Sequence, residues 1–198
     1  MVAIIDYGMG NVISVQKALK VLNAESIITD NAEEIEKCSH IILPGVGSFR
    51  QAMDNLHKRG LVKILNKEVN QNKKPFLGIC LGMQLLADRS FEDSETIGLG
   101  YISGTVKAIP ATGLPTTHIG WNNIEVKKLQ LFKNVNDHNF YFVHGFCFCV
   151  VNENDIAATV DYGTAIVAAV QKDNIYGTQF HPEKSQVEGI AVLKNFLN

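Results

Sequence analysis

The run PFLGICLGMQLL, residues 75–86, joins a short apolar stretch to a helical pattern through a glycine, a cysteine and a second glycine. Gly78 and Gly82 stand two residues either side of Cys80. That spacing describes a strand that turns sharply into a helix with the thiol at the corner, a nucleophile elbow. Free N–H groups and the positive dipole end of a helix's first turn favour the thiolate, the reactive form of cysteine. The competing reading is a buried cysteine that merely ends a core strand.

A strand ending at such a corner needs parallel neighbours, and the chain before it supplies them. Residues 2–6 form an apolar run, after which Val12, Val15, Leu19 and Leu22 recur at helical spacing. Residues 25–29 and 39–43 read as further strands. Ser48 can cap a helix whose inner face carries Phe49, Ala52, Met53 and Leu56, and residues 61–69 continue with a second helical segment. Residues 76–79 deliver Cys80. The alternation predicts a central, mostly parallel sheet flanked by helices, an α/β fold.

After the elbow the pattern changes. Residues 101–109, 123–127, 141–151, 157–160, 165–171 and 175–179 read as strands joined by short polar or glycine-containing turns, and so predict an antiparallel, strand-rich second half. Val187, Ile190, Ala191, Leu193 and Leu197 mark a last helix. Neither a linker nor a repeat interrupts the chain, so residues 1–198 are expected to form one domain.

Composition narrows the class of function. A net charge of −2 gives no field for nucleic acid or an anionic membrane, and 46% apolar residues can bury a substantial core, which together fit a soluble protein acting on a small molecule. The longest apolar stretch, residues 140–151, is broken by His144 and too short to cross a bilayer as a helix. The N-terminus enters a strand without a charged leader, so a cytoplasmic location is expected. Cys38, Cys80, Cys147 and Cys149 lack the paired C-x-x-C spacing of a structural zinc site. Cys147 and Cys149, two apart in an extended run, share a face and read as small strand hydrophobes in a reducing compartment. No metal is expected.

A cysteine nucleophile needs a base, and the base needs an orienting group. QFHPEKS, residues 179–185, offers both: His181 and Glu183 are two apart, and Pro182 between them is expected to hold the backbone extended with both side chains on one side. A carboxylate beside the imidazole fixes its tautomer and favours the imidazolium, which favours the thiolate. The alternative is a surface turn with an ordinary charged residue. For an oxyanion, the N–H of Leu81 is the first donor expected, and the glycine-flanked loop Gly45, Val46, Gly47 the second. Residues 6–11, DYGMGN, lack the third glycine of a dinucleotide fingerprint, and no phosphate-binding lysine follows.

Taken together, GICLGMQ around Cys80, PGVGSF at residues 44–49 and QFHPEKS around His181 resemble the three signatures of the triad (class I) glutamine amidotransferases. With DYGMGN, HIGWN at residues 118–122 and YFVHGF at residues 141–146, the whole chain resembles the glutaminase subunits of imidazole glycerol phosphate synthases. The resemblance implies the class I amidotransferase fold, no cofactor, and attack by Cys80 on the side-chain amide of glutamine, with His181 as base and acid and Glu183 orienting it. It implies that residues Gly45, Val46 and Gly47 form a mobile oxyanion strand and that Gln84, His144, Gly145 and Phe146 surround glutamine. Asn11, Trp121, Tyr141 and Lys184 would face a (β/α)₈-barrel synthase subunit, which receives ammonia and makes imidazole glycerol phosphate in histidine biosynthesis.

The chain departs from the family pattern at two points. Gly145 and Phe146 replace residues that commonly carry hydroxyls, and Thr117 stands where a proline is usual. These departures leave room for a paralogue that feeds ammonia to amidino-sugar synthesis for surface polysaccharides, or for a non-catalytic regulatory subunit; the amidotransferase of pyridoxal phosphate synthase, which shares the triad logic, is a second enzymatic alternative.

Overall fold

The computed structural model describes residues 1–198. The first half runs β1 (Val2–Ile5), α1 (Val12–Val21), β2 (Ser26–Thr29), α2 (Ala32–Lys37), β3 (His40–Gly45), α3 (Phe49–Lys58), α4 (Leu61–Leu65), β4 (Phe76–Cys80) and α5 (Leu81–Gln84). The second half runs β5 (Arg89–Ser90), β6 (Thr96–Ile97), β7 (Gly104–Ala108), β8 (His118–Val126), β9 (Asn139–His144), β10 (Phe146–Val150), β11 (Ile156–Asp161), β12 (Ala165–Lys172), β13 (Ile175–Thr178) and α6 (Gln186–Phe196).

Nine strands form the main sheet in the order β2-β1-β3-β4-β13-β12-β11-β8-β9. The first five are mutually parallel, and the remaining four join through antiparallel pairs. A second sheet, β10-β7-β5-β6, is hydrogen-bonded separately and packs Val106 and Phe148 into the core shared with β12 of the main sheet. Because side chains alternate along a strand, β1 sends Val2 and Ile4 to one face and Ala3 and Ile5 to the other. Val15 and Leu19 of α1 and Val192, Leu193 and Phe196 of α6 cover the first face. Phe49, Met53 and Leu56 of α3 and Leu61, Ile64 and Leu65 of α4 cover the second. The predicted parallel core and antiparallel second half are both present.

Several boundaries differ from those expected. Residues 141–151 are not one strand: β9 ends at His144, β10 starts at Phe146, and the two belong to different sheets. Gly145 is the joint. Residues 101–103 precede β7 as bends, whereas β8 starts five residues before the expected Asn123. The helical pattern of residues 61–69 is α4 followed by a π-helical turn, Asn66–Gln71, where buried Glu68 meets Lys74 at 2.6 Å. Val187 does not pack inward on α6 but is 77% exposed, because α6 begins after a tight turn and buries Gly189, Val192, Leu193 and Phe196 instead. Helix α2 went unpredicted because only Ile35 of its six residues is buried, so it shows no periodic apolar face. Asn31 starts it by accepting the N–H groups of Glu33 and Glu34.

The elbow is real and sterically enforced. Cys80 has φ +55° and ψ −109°, a conformation rare for a residue with a side chain. The chain reverses there so tightly that a Cβ on Gly78 would overlap the Gly82 carbonyl, and a Cβ on Gly82 would overlap the Leu43 carbonyl of β3. Both glycines therefore permit α5 to lie against the ends of β3 and β4. Gly82→Ala is expected to destabilise the fold by about 3 kcal/mol or more, read as a lowered midpoint in urea.

Candidate active site

Cys80 stands at the carboxyl end of β4, between β3 and β13, where an open parallel sheet places its ligands. Sheet register sets Gly45 directly beside it. Helix α5 has only four residues, so Cys80 meets a few first-turn N–H groups rather than the macrodipole of a long helix.

Val46, Gly47, Cys80, Leu81, Gln84, Glu92, Val143, His144, Gly145 and Phe146 enclose a pocket of about 210 Å³. Eight of the residues expected around the substrate thus meet in one cavity. Gly45 borders them as the last residue of β3, and Gly47 turns the loop through φ +98°. The Tyr7 ring is fully buried, its hydroxyl crowding the position a Cβ on Gly45 would take. That hydroxyl has no hydrogen-bond partner.

Glu92 was not expected. It sits on the loop between β5 and β6, and its Oε2 accepts the Phe49 N–H at 2.7 Å. One of three acidic residues in the stretch 91–95, it carries no periodic signal, and only the packing of this loop against α3 reveals it.

His181 and Glu183 meet, though not as an extended pair. Pro182–Lys184 is a 3-10 turn, and the turn brings Glu183 Oε1 to 2.8 Å from His181 Nδ1, both side chains 2% exposed. Two bonds tie this turn to the edge of β9 and a third closes it on itself. The His181 N–H donates to the Tyr141 carbonyl at 3.0 Å, the Tyr141 N–H donates to Ser185 Oγ at 3.0 Å, and Ser185 Oγ donates to the His181 carbonyl at 2.7 Å. Burial opposes a charged imidazole, but the nearness of Cys80, the hydrogen bond to Glu183 and the negative charge of both outweigh it, so the His181 pKa rises to about 9; Nε2 itself has no hydrogen-bond partner.

A second histidine is driven the other way. His144 Nδ1 lies 2.8 Å from the Phe146 carbonyl, so Nδ1 carries the proton and Nε2 accepts from His118 Nδ1 at 3.1 Å. His118 is stacked between Phe142 and Tyr162. Burial, helped by the neighbouring His118 and His181, lowers the His144 pKa to about 4 against the pull of the Phe146 carbonyl.

Asn11, Trp121, Tyr141 and Lys184 lie outside the pocket. Asn11 caps α1 by accepting the Ser14 N–H at 3.2 Å. Trp121 opposes Tyr141 across β8 and β9, their rings 6.1 Å apart, and Lys184 Nζ lies 5.8 Å from the Tyr141 ring centre. Trp121, Tyr141 and Lys184, the last residue of the 182–184 turn, form one partly exposed cluster; Asn11 begins the helix that packs on that turn. Of the remaining histidines, His57 is exposed and His40 packs edge-on against Phe196. Cys147 is buried and Cys149 exposed.

The two perturbed histidines set opposite pH dependences. Between about pH 6.5 and 4 the unfolded chain binds a proton at residue 144 that the native chain refuses, so stability falls as pH drops through this window, by up to about 3 kcal/mol. His181 contributes stability that is complete below about pH 6.5 and is lost as pH rises through 9. Urea titrations across pH should show His144→Asn losing much of the acid-side fall while keeping the alkaline one.

The comparisons with known proteins agree with this geometry. Residues 3–198 match the family model of class I glutamine amidotransferases. The chain is 44% identical to imidazole glycerol phosphate synthase subunit HisH 1 of Campylobacter jejuni, over all of this chain and 99% of that protein. It is 45% identical to subunit HisH 2 of Methanococcus maripaludis and 42% identical to HisH of Pelagibacter ubique, again over its whole length and 98% and 99% of theirs. Among solved structures, a glutamine amidotransferase superposes over all of this chain and 97% of its own with a TM-score of 0.78 at 21% identity. PurLQS from Thermotoga maritima does so with a TM-score of 0.76 at 18% identity, likewise over all of this chain and 97% of its own; both likenesses speak for the fold. The chain belongs to the class I glutamine amidotransferase family, among the HisH subunits of imidazole glycerol phosphate synthase.

Proposed function

We propose that the chain hydrolyses glutamine to glutamate and ammonia through a thioester on Cys80, and delivers the ammonia to a (β/α)₈-barrel synthase subunit in histidine biosynthesis. The carrying observation is the convergence of a sterically enforced cysteine elbow, a buried His181–Glu183 pair and a pocket of amino-acid size at one sheet end. The names of the HisH relatives support the pathway.

In this reading Cys80 Sγ attacks the amide carbonyl of glutamine. The N–H groups of Leu81 and of the Gly45–Val46–Gly47 loop take the developing oxyanion, each contributing roughly 3 kcal/mol to transition-state stabilisation. His181, protonated and held by Glu183, gives its proton to the departing nitrogen, so ammonia leaves and the acyl group stays on sulfur. The same imidazole, now neutral, draws a proton from water as the water attacks the thioester, which restores Cys80 and releases glutamate. Glu92, half-buried at the pocket wall, is placed to receive the α-ammonium of the substrate. The Trp121, Tyr141 and Lys184 cluster, with Asn11 nearby, faces the barrel partner, where ammonia is used to form imidazole glycerol phosphate and the aminoimidazole carboxamide ribonucleotide.

Gly145 bears on substrate affinity. A Cβ there would meet only the Thr116 carbonyl at 3.6 Å and Thr117 Oγ1 at 3.8 Å, and its φ is not left-handed, so the pocket has room for a serine. Glutamine is therefore held at this wall without a hydroxyl, by backbone groups.

Cys80→Ala is expected to fold normally by circular dichroism and to lose glutamine hydrolysis by more than about 10⁴-fold with partner and acceptor present. Turnover surviving in that variant would sink the mechanism. Gly145→Ser is expected to lower KM for glutamine about two- to tenfold, the value of one added hydrogen bond, with kcat little changed.

A further inference from the structure

Gln179 belongs to none of the groups assigned above, yet it is the side chain that touches the nucleophile. Its accessible surface is 0%, and its Nε2 lies 3.7 Å from Cys80 Sγ. The placement follows from sheet register: Thr178 of β13 pairs with Ile79 of β4, so the next residues, Gln179 and Cys80, come side by side. The Gln179 backbone N–H is fixed to the Ala168 carbonyl at 2.8 Å.

The orientation of the amide is dictated by its neighbours. The Phe146 carbonyl is an acceptor only, so the Gln84 atom 3.0 Å from it is the amide nitrogen. The other proton of that nitrogen meets a Gln179 atom at 3.0 Å, which must therefore be Oε1. What Gln179 turns toward Cys80 is then an N–H donor. The Phe146 carbonyl is itself held by His144 Nδ1, so the chain of constraints runs from the buried histidine pair to the sulfur.

An N–H aimed at sulfur matters more when the sulfur is charged, because hydrogen bonds to ionised acceptors are roughly twice as strong as neutral ones. The other polar contact of Cys80 is the Val143 carbonyl, 3.9 Å away, which can accept from a thiol but repels a thiolate. Gln179 favours the anion and Val143 does not. We propose that Gln179 is a further catalytic residue, donating its amide N–H to the Cys80 thiolate in an orientation set by Gln84 and the Phe146 carbonyl. The proposal rests on the glutaminase reading given above.

The test compares the full chain with Gln179→Glu, which keeps shape and the Gln84 contact but replaces the donor with a carboxylate, and with Gln179→Met, which removes both polar groups. The probes are Cys80 alkylation by iodoacetamide across pH, followed by peptide mass, and steady-state glutamine hydrolysis with the partner subunit. In both variants the alkylation profile should move to higher pH and kcat should fall about 10- to 100-fold, with KM within about twofold. Unchanged alkylation profiles with kcat within about threefold of wild type, or a rise in KM alone, would make Gln179 a packing residue and overturn the assignment. If Gln179→Glu fails to fold, Gln179→Met carries the same two readouts. Turnover in Cys80→Ala would strike the glutaminase reading itself, whereas an inactive Cys80→Ala beside wild-type-like Gln179 variants would remove only this inference.

Discussion

The close approach of α5 to the ends of β3 and β4 is the constraint on which the rest depends. It exists only because positions 78 and 82 lack a Cβ, and it forces Cys80 into a left-handed backbone conformation. A strained residue of this kind persists only when its surroundings over-determine it. Here Gly45 pairs with Cys80 on one side, β13 pairs with β4 on the other, and the buried side chains of Leu81 and Met83 anchor the helix below. The thiol is thereby held at a fixed point at the rim of the sheet. Everything else in the pocket is placed relative to it.

Around that point two imidazoles are tuned in opposite directions by the same burial. His181 has a carboxylate and a sulfur as neighbours, and keeps its proton to about pH 9. His144 has a carbonyl on one nitrogen and a second histidine on the other, and stays neutral down to about 4. Burial alone would lower both. What separates them is the charge of the partner, an acid for one and a neutral ring for the other. The neutral pair lends itself to holding a pocket wall, and the charged one to proton transfer.

How much of this was legible follows from where the signal resides. The elbow was readable because its two glycines are a local steric requirement, and the alternation of strand and helix was readable because β1, β3 and β4 are buried on both faces. The pairing of His181 with Glu183 was readable from their spacing, although the backbone joins them through a turn. The break at Gly145 was not, because β9 and β10 read as one apolar run and only the packing of a second sheet separates them. Nor was Glu92, which reaches the pocket from a loop whose path depends on β5 and β6, two strands of two residues each. Gln179 opens the QFHPEKS segment but is given its meaning by strand register, a property of two segments together.

That register also bears on how the protein is made. Strand β13 enters the sheet between β4 and β12, so the central parallel pair joins segments about a hundred residues apart, a costly loop to close and a late one. Until that strand docks, the sulfur at position 80 lacks the Gln179 amide beside it and the His181–Glu183 pair that follows the strand. A chain emerging from the ribosome therefore carries a mute cysteine through most of its synthesis. On the proposed mechanism, ammonia release waits for β13 and α6 to dock, which ties activity to completion of the fold.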